Sequence, residues 1–316
     1  MNWTELDTWI VVTGILICVA CTLPGIFLML NRESMLGDGI SHAVLPGLAV
    51  AFLVTGTRDV LPMVTGAVVA GVFTAWLSQA VQKYGQVESG AALGVVFCGL
   101  FAVGLILIRV ASDRVDLDPD CVLLGAIETA VVDVGRVPRV TWISAGVLAV
   151  NAFLMLLFYK ELKLAAFDPA LATASGFRAD WIRLGLTLVA SVTTVLAFES
   201  VGSILVIAML VVPGAAASAV TRRLPVLIVL AVIIAAASAV VGHLGALWLP
   251  RWIGRWLGHP DLGATSSAAM MAVASGAAFF VCWCIAAIRG MRQGRRTVEP
   301  MAAEGSGGIA SGGNWV

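Results

Sequence analysis

Nine long apolar runs limit what this chain can fold into more than any other feature of its sequence. About 20 mostly apolar residues are enough for a helix to cross the hydrocarbon core of a bilayer. The runs therefore predict an all-α fold, a polytopic membrane bundle of eight or nine transmembrane helices. The number stays open because the run at 39–56 begins with polar residues and the run at 203–220 follows directly on the turn "ESVG". The nine runs cover residues 8–30, 39–56, 61–81, 92–110, 140–159, 182–198, 203–220, 226–248 and 266–288.

The composition supports a protein whose surface faces lipid. Of the 316 residues, 60% are hydrophobic and only 12% are charged, whereas a soluble domain carries roughly a quarter charged residues. The formal net charge is zero, so the chain offers no basic face to a nucleic acid. The N-terminal stretch "MNWTELDTW" has no basic residue before the first run, and we therefore expect that run to be a retained span.

The distribution of Lys and Arg predicts the orientation in the membrane. With the N-terminus outside, the inner segments carry 12 of the 19 basic residues, and the outer segments carry seven basic against eleven acidic residues. Because basic residues accumulate on the cytoplasmic side, the N-terminus is expected outside and the C-terminus in the cytoplasm. Residues 1–296 are predicted to form the transmembrane domain, and the Gly-, Ala- and Ser-rich segment 297–316 a disordered tail.

Asp38 and His42 lie four residues apart at the start of the second run, in "SMLGDGISHAVLPG". On a helix these two side chains share a face. If Arg32 marks the inner boundary, His42 lies roughly 15 Å deep and Asp38 roughly 9 Å deep. Ionisable groups at such depths indicate a transport pathway, and an oxygen and a nitrogen ligand together suit Mn²⁺ or Zn²⁺. The spacing alone also fits a hydrogen bond between two helices, or an aspartate that caps the helix start.

Three further residues in or next to the runs have both a functional and a structural interpretation. Glu199, in "FESVGS", and His243, in "VVGHLGALWLP", are either hydrogen-bonded interfacial residues, which is the favoured interpretation, or additional ligands. Pro213 should kink its helix, and the small residues at 214–217 should let a neighbouring helix approach closely. Such a kink suits either tight packing or a helix that shifts during transport.

The inner segment 160–182 is too long and too polar for a simple turn. Within it, "DPALATASGF" predicts a short helix with Asp168 as N-cap, Pro169 at the first helical position and Gly176 as the stop. This helix is either a decoration of the membrane interface or a docking site for another subunit. The chain has no GxxxxGK[ST] motif, so we expect it to have no ATPase site of its own, and the absence of HExxH and GxSxG weakens the interpretation as a membrane protease.

Several of these segments together resemble the permease subunits of ATP-binding-cassette importers for manganese, zinc or iron. The resemblance follows the chain in family order and is weakest over 57–140. It rests on "MLNRESMLGDGISHAVLPGLAVAFL" (29–53), "KELKLAAFDPALATASGF" (160–177), "VGSILVIAMLVVPGAAASAV" (201–220), "GHLGALWLP" (242–250) and "TSSAAMMAVASGAAFF" (265–280).

The resemblance implies an ion pathway subunit of a bacterial plasma membrane importer. Asp38 and His42 match the pathway ligands of the family, and residues 164–178 match its coupling helix. The implied partners are ATP-binding-cassette ATPase subunits, a metal-binding extracytoplasmic protein and a second permease subunit, identical or paralogous. Mn²⁺, Zn²⁺ or Fe²⁺ would be cargo, with no permanently bound cofactor. The ATPase-coupling residues implied in this way are Asp168, Pro169, Leu171, Ala172 and Gly176.

Three other functions compete with this interpretation. A secondary transporter or channel that works alone often shows inverted repeats, and none is visible here. A membrane-embedded enzyme would need a nucleophile beside the Asp–His pair, and no such group accompanies it. A permease for a metal chelate shares the architecture, but a chelated ion needs no protein ligands, and the Asp–His pair therefore favours a free ion.

Overall fold

The fold is known from a computed structural model, which describes residues 3–56, 60–112, 127–132, 137–257 and 265–305. The described residues form helices joined by short turns. The helices are α1 (Glu5–Leu30), α2 (Leu36–Thr55), α3 (Val60–Gly85), α4 (Ser89–Ser112), α5 (Ile127–Ala130), α6 (Arg139–Leu157), α7 (Tyr159–Phe167), α8 (Pro169–Ala174), α9 (Ala179–Val201), α10 (Ser203–Val220), α11 (Leu224–Leu257) and α12 (Ser267–Gly305).

The predicted all-α membrane bundle is confirmed. Within the described ranges, eight helices are long and apolar enough to cross a bilayer, and each overlaps one of the predicted runs. The remaining run, 39–56, coincides with α2, which has 20 residues. The chain is thus a multi-pass membrane protein. The eight helices found in the described ranges agree with the predicted eight or nine spans.

The helices form two groups of three that are joined by α1 and α9. In the first group α2 packs against α3 and α4, and in the second α10, α11 and α12 pack against one another. Between them, α1 contacts α6, α9, α10 and α11, while α9 contacts α1, α2 and α3. The central position of α1 explains why 67% of its apolar window is buried, against 11% for α12.

Local sequence signals fix several helix ends. Thr4 and Asp7 form a capping box at the start of α1, in which the Asp7 side chain accepts from the Thr4 backbone N–H at 2.8 Å. Gly202, with φ of +83°, is the single residue between α9 and α10, which confirms the predicted tight turn. A positive φ is readily adopted by glycine, because it lacks a Cβ atom.

Two boundaries differ from the prediction. The segment after α6 contains a helix, α7, in addition to the predicted short helix, which is α8. α7 forms because "YKELKLAAF" has good helix formers and no Gly or Pro to interrupt it. The helix α12 runs on to Gly305, beyond residue 296, where we expect the tail to begin. Residues 306–316 lie outside the described ranges, and the disordered tail therefore stays a prediction.

Candidate functional site

Asp38 and His42 both lie on α2, the helix at the centre of the first group. α2 begins at Leu36 with Met35 as its N-cap, so Asp38 is in the first turn and is not the N-cap residue. The backbone positions place Asp38 and His42 four residues apart on one helical face. The side chain of Asp38 lies outside the part of the structure that is described.

The start of α2 is wedged between two other helices. A Cβ atom on Gly37 would lie 2.6 Å from Leu210 Cδ1 of α10, and one on Gly39 would lie 2.9 Å from Leu93 Cδ1 of α4. Both glycines are buried. The turn that carries Asp38 is therefore enclosed by protein on both sides, which is where an ionisable residue in a membrane protein is tolerated.

The His42 imidazole packs against two phenylalanines of α4. Its ring centroid lies 5.1 Å from that of Phe97 and 5.4 Å from that of Phe101, at interplanar angles of 43° and 81°. The rings fix the direction of the imidazole, because aromatic pairs favour tilted and edge-on arrangements over free rotation. Sequence reasoning missed this contact. The spacing of Phe97 and Phe101 indicates a shared helical face, but it does not reveal which residue that face meets.

His243 belongs to a separate polar cluster at the other group of helices. It is 1% exposed, with Nδ1 3.1 Å from Ser267 Oγ of α12 and Nε2 3.4 Å from Asp7 Oδ1 of α1. The Ser267 backbone N–H donates to Glu128 of α5, and Trp3 contacts the His243 ring edge-on at 5.9 Å. Both ring nitrogens thus face protein groups, an arrangement that favours the structural interpretation of His243.

The remaining predicted residues are distributed along the bundle. Glu199 lies in the last turn of α9, but its side chain lies outside the described part. Pro213 is buried within α10, and a Cβ atom on the neighbouring Gly214 would lie 3.5–3.6 Å from Ile26 of α1, which is an ordinary contact distance. Among the side chains that the structure describes, no three His, Cys, Asp or Glu residues are grouped to hold a metal ion.

The predicted short helix is present as α8. Asp168 Oδ1 accepts from the Leu171 backbone N–H at 2.9 Å, and Pro169 occupies the first helical position. Gly176, with φ of +88°, ends the helix in a Schellman motif, in which Phe177 N donates to Ala172 O and Gly176 N to Thr173 O. Ala172 is fully buried, whereas Leu171 is 51% exposed. α8 therefore has one face on the bundle and one apolar, accessible face.

An ion pair beside α8, between a partly exposed arginine and a buried glutamate, was not predicted. Arg183, in the first turns of α9, donates from Nε and Nη2 to Glu33 Oε1, and Glu33 lies in the turn between α1 and α2. The same Nη2 donates to Gln82 Oε1 of α3 at 2.9 Å. The Glu33 side chain is only 2% exposed. These contacts join α9, α3 and the α1–α2 turn at one end of the bundle.

Comparisons with known proteins identify the family of this chain. The model of the ABC 3 transport family matches residues 4–250. The manganese transport system membrane protein MntD of Bacillus subtilis is 44% identical over 254 residues, covering 77% of this chain and 84% of that protein. The zinc transport system membrane protein TroD of Treponema pallidum is 40% identical over 209 residues, covering 65% of this chain and 57% of that protein.

A solved structure has the same arrangement of helices. PsaBC from Streptococcus pneumoniae, in complex with Fab, matches with a TM-score of 0.68 at 27% identity, covering 89% of this chain and 91% of that one. The family model covers well over half of the chain, and MntD is 44% identical with 84% of its own length covered. The chain therefore belongs to the ABC 3 transport family and is a permease subunit of an ABC transporter.

Proposed function

We propose that this chain forms the transmembrane pathway of an ATP-driven importer for a divalent transition metal ion: Mn²⁺, Zn²⁺ or Fe²⁺. The observation that carries the proposal is the pair Asp38 and His42 on one face of α2, at a helix start enclosed by α4 and α10. Its relatives named for manganese and zinc transport support the same class of cargo.

The chemistry of the pair suits a transient site. A bare divalent ion in hydrocarbon is prohibitively unstable, so protein ligands must replace part of its water shell. A carboxylate and an imidazole bind Mn²⁺, Zn²⁺ and Fe²⁺ alike. A site that must also release its ion needs few ligands, and two from this chain meet that need. A second permease subunit, identical or paralogous, would supply the ligands that face this pair.

The apolar face of α8 supports docking of an ATPase subunit. Leu171 of α8 is 51% exposed, and Phe167 at the end of the preceding helix α7 is 59% exposed, both at the end of the bundle that we expect in the cytoplasm. Closure of the ATPase would shift α8 and tilt the spans around the Asp38–His42 site. The site would then open alternately to the two sides of the membrane. A metal-binding extracytoplasmic protein would deliver the ion on the opposite side, where we expect the N-terminus. The bacterial plasma membrane is the proposed location.

Uptake of radiolabelled Mn²⁺ and Zn²⁺ tests the proposal. The chain is expressed together with its ATPase and its binding protein, and Asp38→Ala and His42→Ala are compared with wild type at equal membrane levels. We expect uptake to vanish in both variants while the complex still assembles. A catalytically inactive ATPase should abolish uptake as well. Undiminished uptake by the two variants, or uptake without ATP hydrolysis, would contradict the proposal and favour a stand-alone transporter.

A further inference from the structure

The end of the bundle beside α8 is open rather than tightly packed. A cavity of about 680 Å³ lies between α8, α3 and α9, with Thr173, Gln82 and Arg183 among its lining residues. A second cavity of about 240 Å³ lies between α8 and the α1–α2 turn and is lined by Pro169, Arg32 and Arg183. Direct side-chain packing therefore transmits a displacement of α8 to α2 poorly.

Arg183 lines both cavities and stands between them. Its guanidinium reaches Glu33 through two nitrogens and Gln82 through one of them, so a planar, charged group crosses the space that packing leaves open. The Glu33 carboxylate is almost completely buried, and its Oε2 has no hydrogen-bond partner among the described residues. Since an unpaired buried charge is strongly unfavourable, Glu33 must follow Arg183 when Arg183 moves.

Both partners are fixed to rigid backbone. The four residues 175–178 connect α8 to α9, and Arg183 lies near the start of α9. Glu33 closes the α1–α2 turn: its N–H donates to Leu28 O at 2.9 Å, and Arg32 N donates to Met29 O at 3.0 Å, with Arg32 at φ +61°. This Schellman turn leads directly into α2 and its residues Asp38 and His42.

We propose that the Glu33–Arg183 ion pair is the mechanical link that passes a displacement of α8 to the start of α2, where the Asp38–His42 site lies. The inference rests on the proposed function, because it assigns a positioning role at the same site. Neither residue contacts the ion. A rigid turn and a rigid helix start, joined by one charged contact across open space, can shift together as a unit.

The ratio of ions moved to ATP hydrolysed tests the link. The complete complex with ATPase and binding protein is reconstituted in liposomes, and uptake of radiolabelled Mn²⁺ and ATP hydrolysis are measured together. We expect Glu33→Gln and Arg183→Gln to keep ATPase binding and hydrolysis while the ratio falls by about fivefold or more. The exchanged pair E33R/R183E should recover a large part of the ratio. Because this double variant keeps the ion pair, it also tests the link if a single variant folds poorly.

Lys83→Gln is the matched control. Lys83 and Asp180 also join α3 to α9 at this end, at 3.5 Å, but both side chains are largely exposed, and the ratio should not change. An unchanged ratio in Glu33→Gln and Arg183→Gln would overturn the inference, as would an equal fall in Lys83→Gln. If the wild-type complex moves none of the ions Mn²⁺, Zn²⁺ and Fe²⁺, the proposed function is wrong. If the wild-type complex moves one of them and the variants leave the ratio unchanged, only the link is wrong.

Discussion

At the scale of single residues, the His42 ring is held by two aromatic contacts from α4, at 5.1 Å and 5.4 Å. Because the direction of the ring is already fixed, ion binding costs little further side-chain entropy. We expect Phe97→Ala to raise the KM for ion uptake about 2- to 10-fold with a smaller change in the maximal rate, since an aromatic pair contributes about 0.5–1.5 kcal/mol. Uptake kinetics with radiolabelled Mn²⁺ measure both quantities.

The control for this prediction is Phe280→Ala. Phe280 is 64% exposed on α12, in the other group of helices, and its loss should leave the KM unchanged. A KM that is insensitive to Phe97→Ala would show that α4 does not orient His42 for binding.

At the scale of helices, α2 and α3 are in backbone contact through two glycines. A Cβ atom on Gly47 would lie 2.4 Å from Gly66 O, and one on Gly66 would lie 2.6 Å from Gly47 O. Small residues let membrane helices approach closely enough for extensive van der Waals contact. We expect Gly47→Ala to destabilise the protein by about 1–3 kcal/mol, the usual cost of overpacking, and thermal unfolding in detergent measures the loss.

Gly94→Ala provides the comparison within the same group of helices. Nothing lies within 4 Å of a Cβ atom at Gly94 on α4, so alanine should be neutral or slightly stabilising through its higher helix propensity. Equal melting temperatures for the Gly47 and Gly94 variants would mean that α2 and α3 can separate without loss of stability.

At the scale of the whole molecule, each end of the bundle is joined by a buried polar cluster. One end holds Glu33, Arg183 and Gln82, and the other holds Asp7, His243, Ser267 and Glu128. His243 belongs to one of these clusters, whereas His42 belongs to neither. Substitution should therefore affect stability at His243 and uptake at His42. His243→Gln should lower the unfolding free energy by about 1–3 kcal/mol, because it leaves buried partners unsatisfied, and should keep uptake per folded transporter.

His42→Gln should show the reverse behaviour, with near-normal thermal stability and lost uptake. Melting temperature and uptake per transporter, measured on the same preparations, separate the two effects. Loss of uptake in His243→Gln at unchanged stability would instead place His243 in the ion pathway, the less favoured of the two sequence-based interpretations.

The sequence alone was sufficient for features that depend on local chemistry. The nine runs all coincide with helices because a span is defined by its own length and hydropathy. The ends of α8 were predicted correctly because Asp168, Pro169 and Gly176 act on backbone groups within a few residues of themselves. The pair Asp38 and His42 was also visible, since its shared face follows from helical spacing.

Which residues from distant parts of the chain meet was decided only by the tertiary structure. Glu33 and Arg183 are 150 residues apart, and the Phe97–Phe101 face that holds His42 comes from another helix. In a soluble protein a polar stripe would mark the outer face of each helix, but in lipid the outer and inner faces are both apolar. Hydropathy therefore determined which segments span the membrane, while the packing of small residues and buried polar groups determined how the spans are arranged.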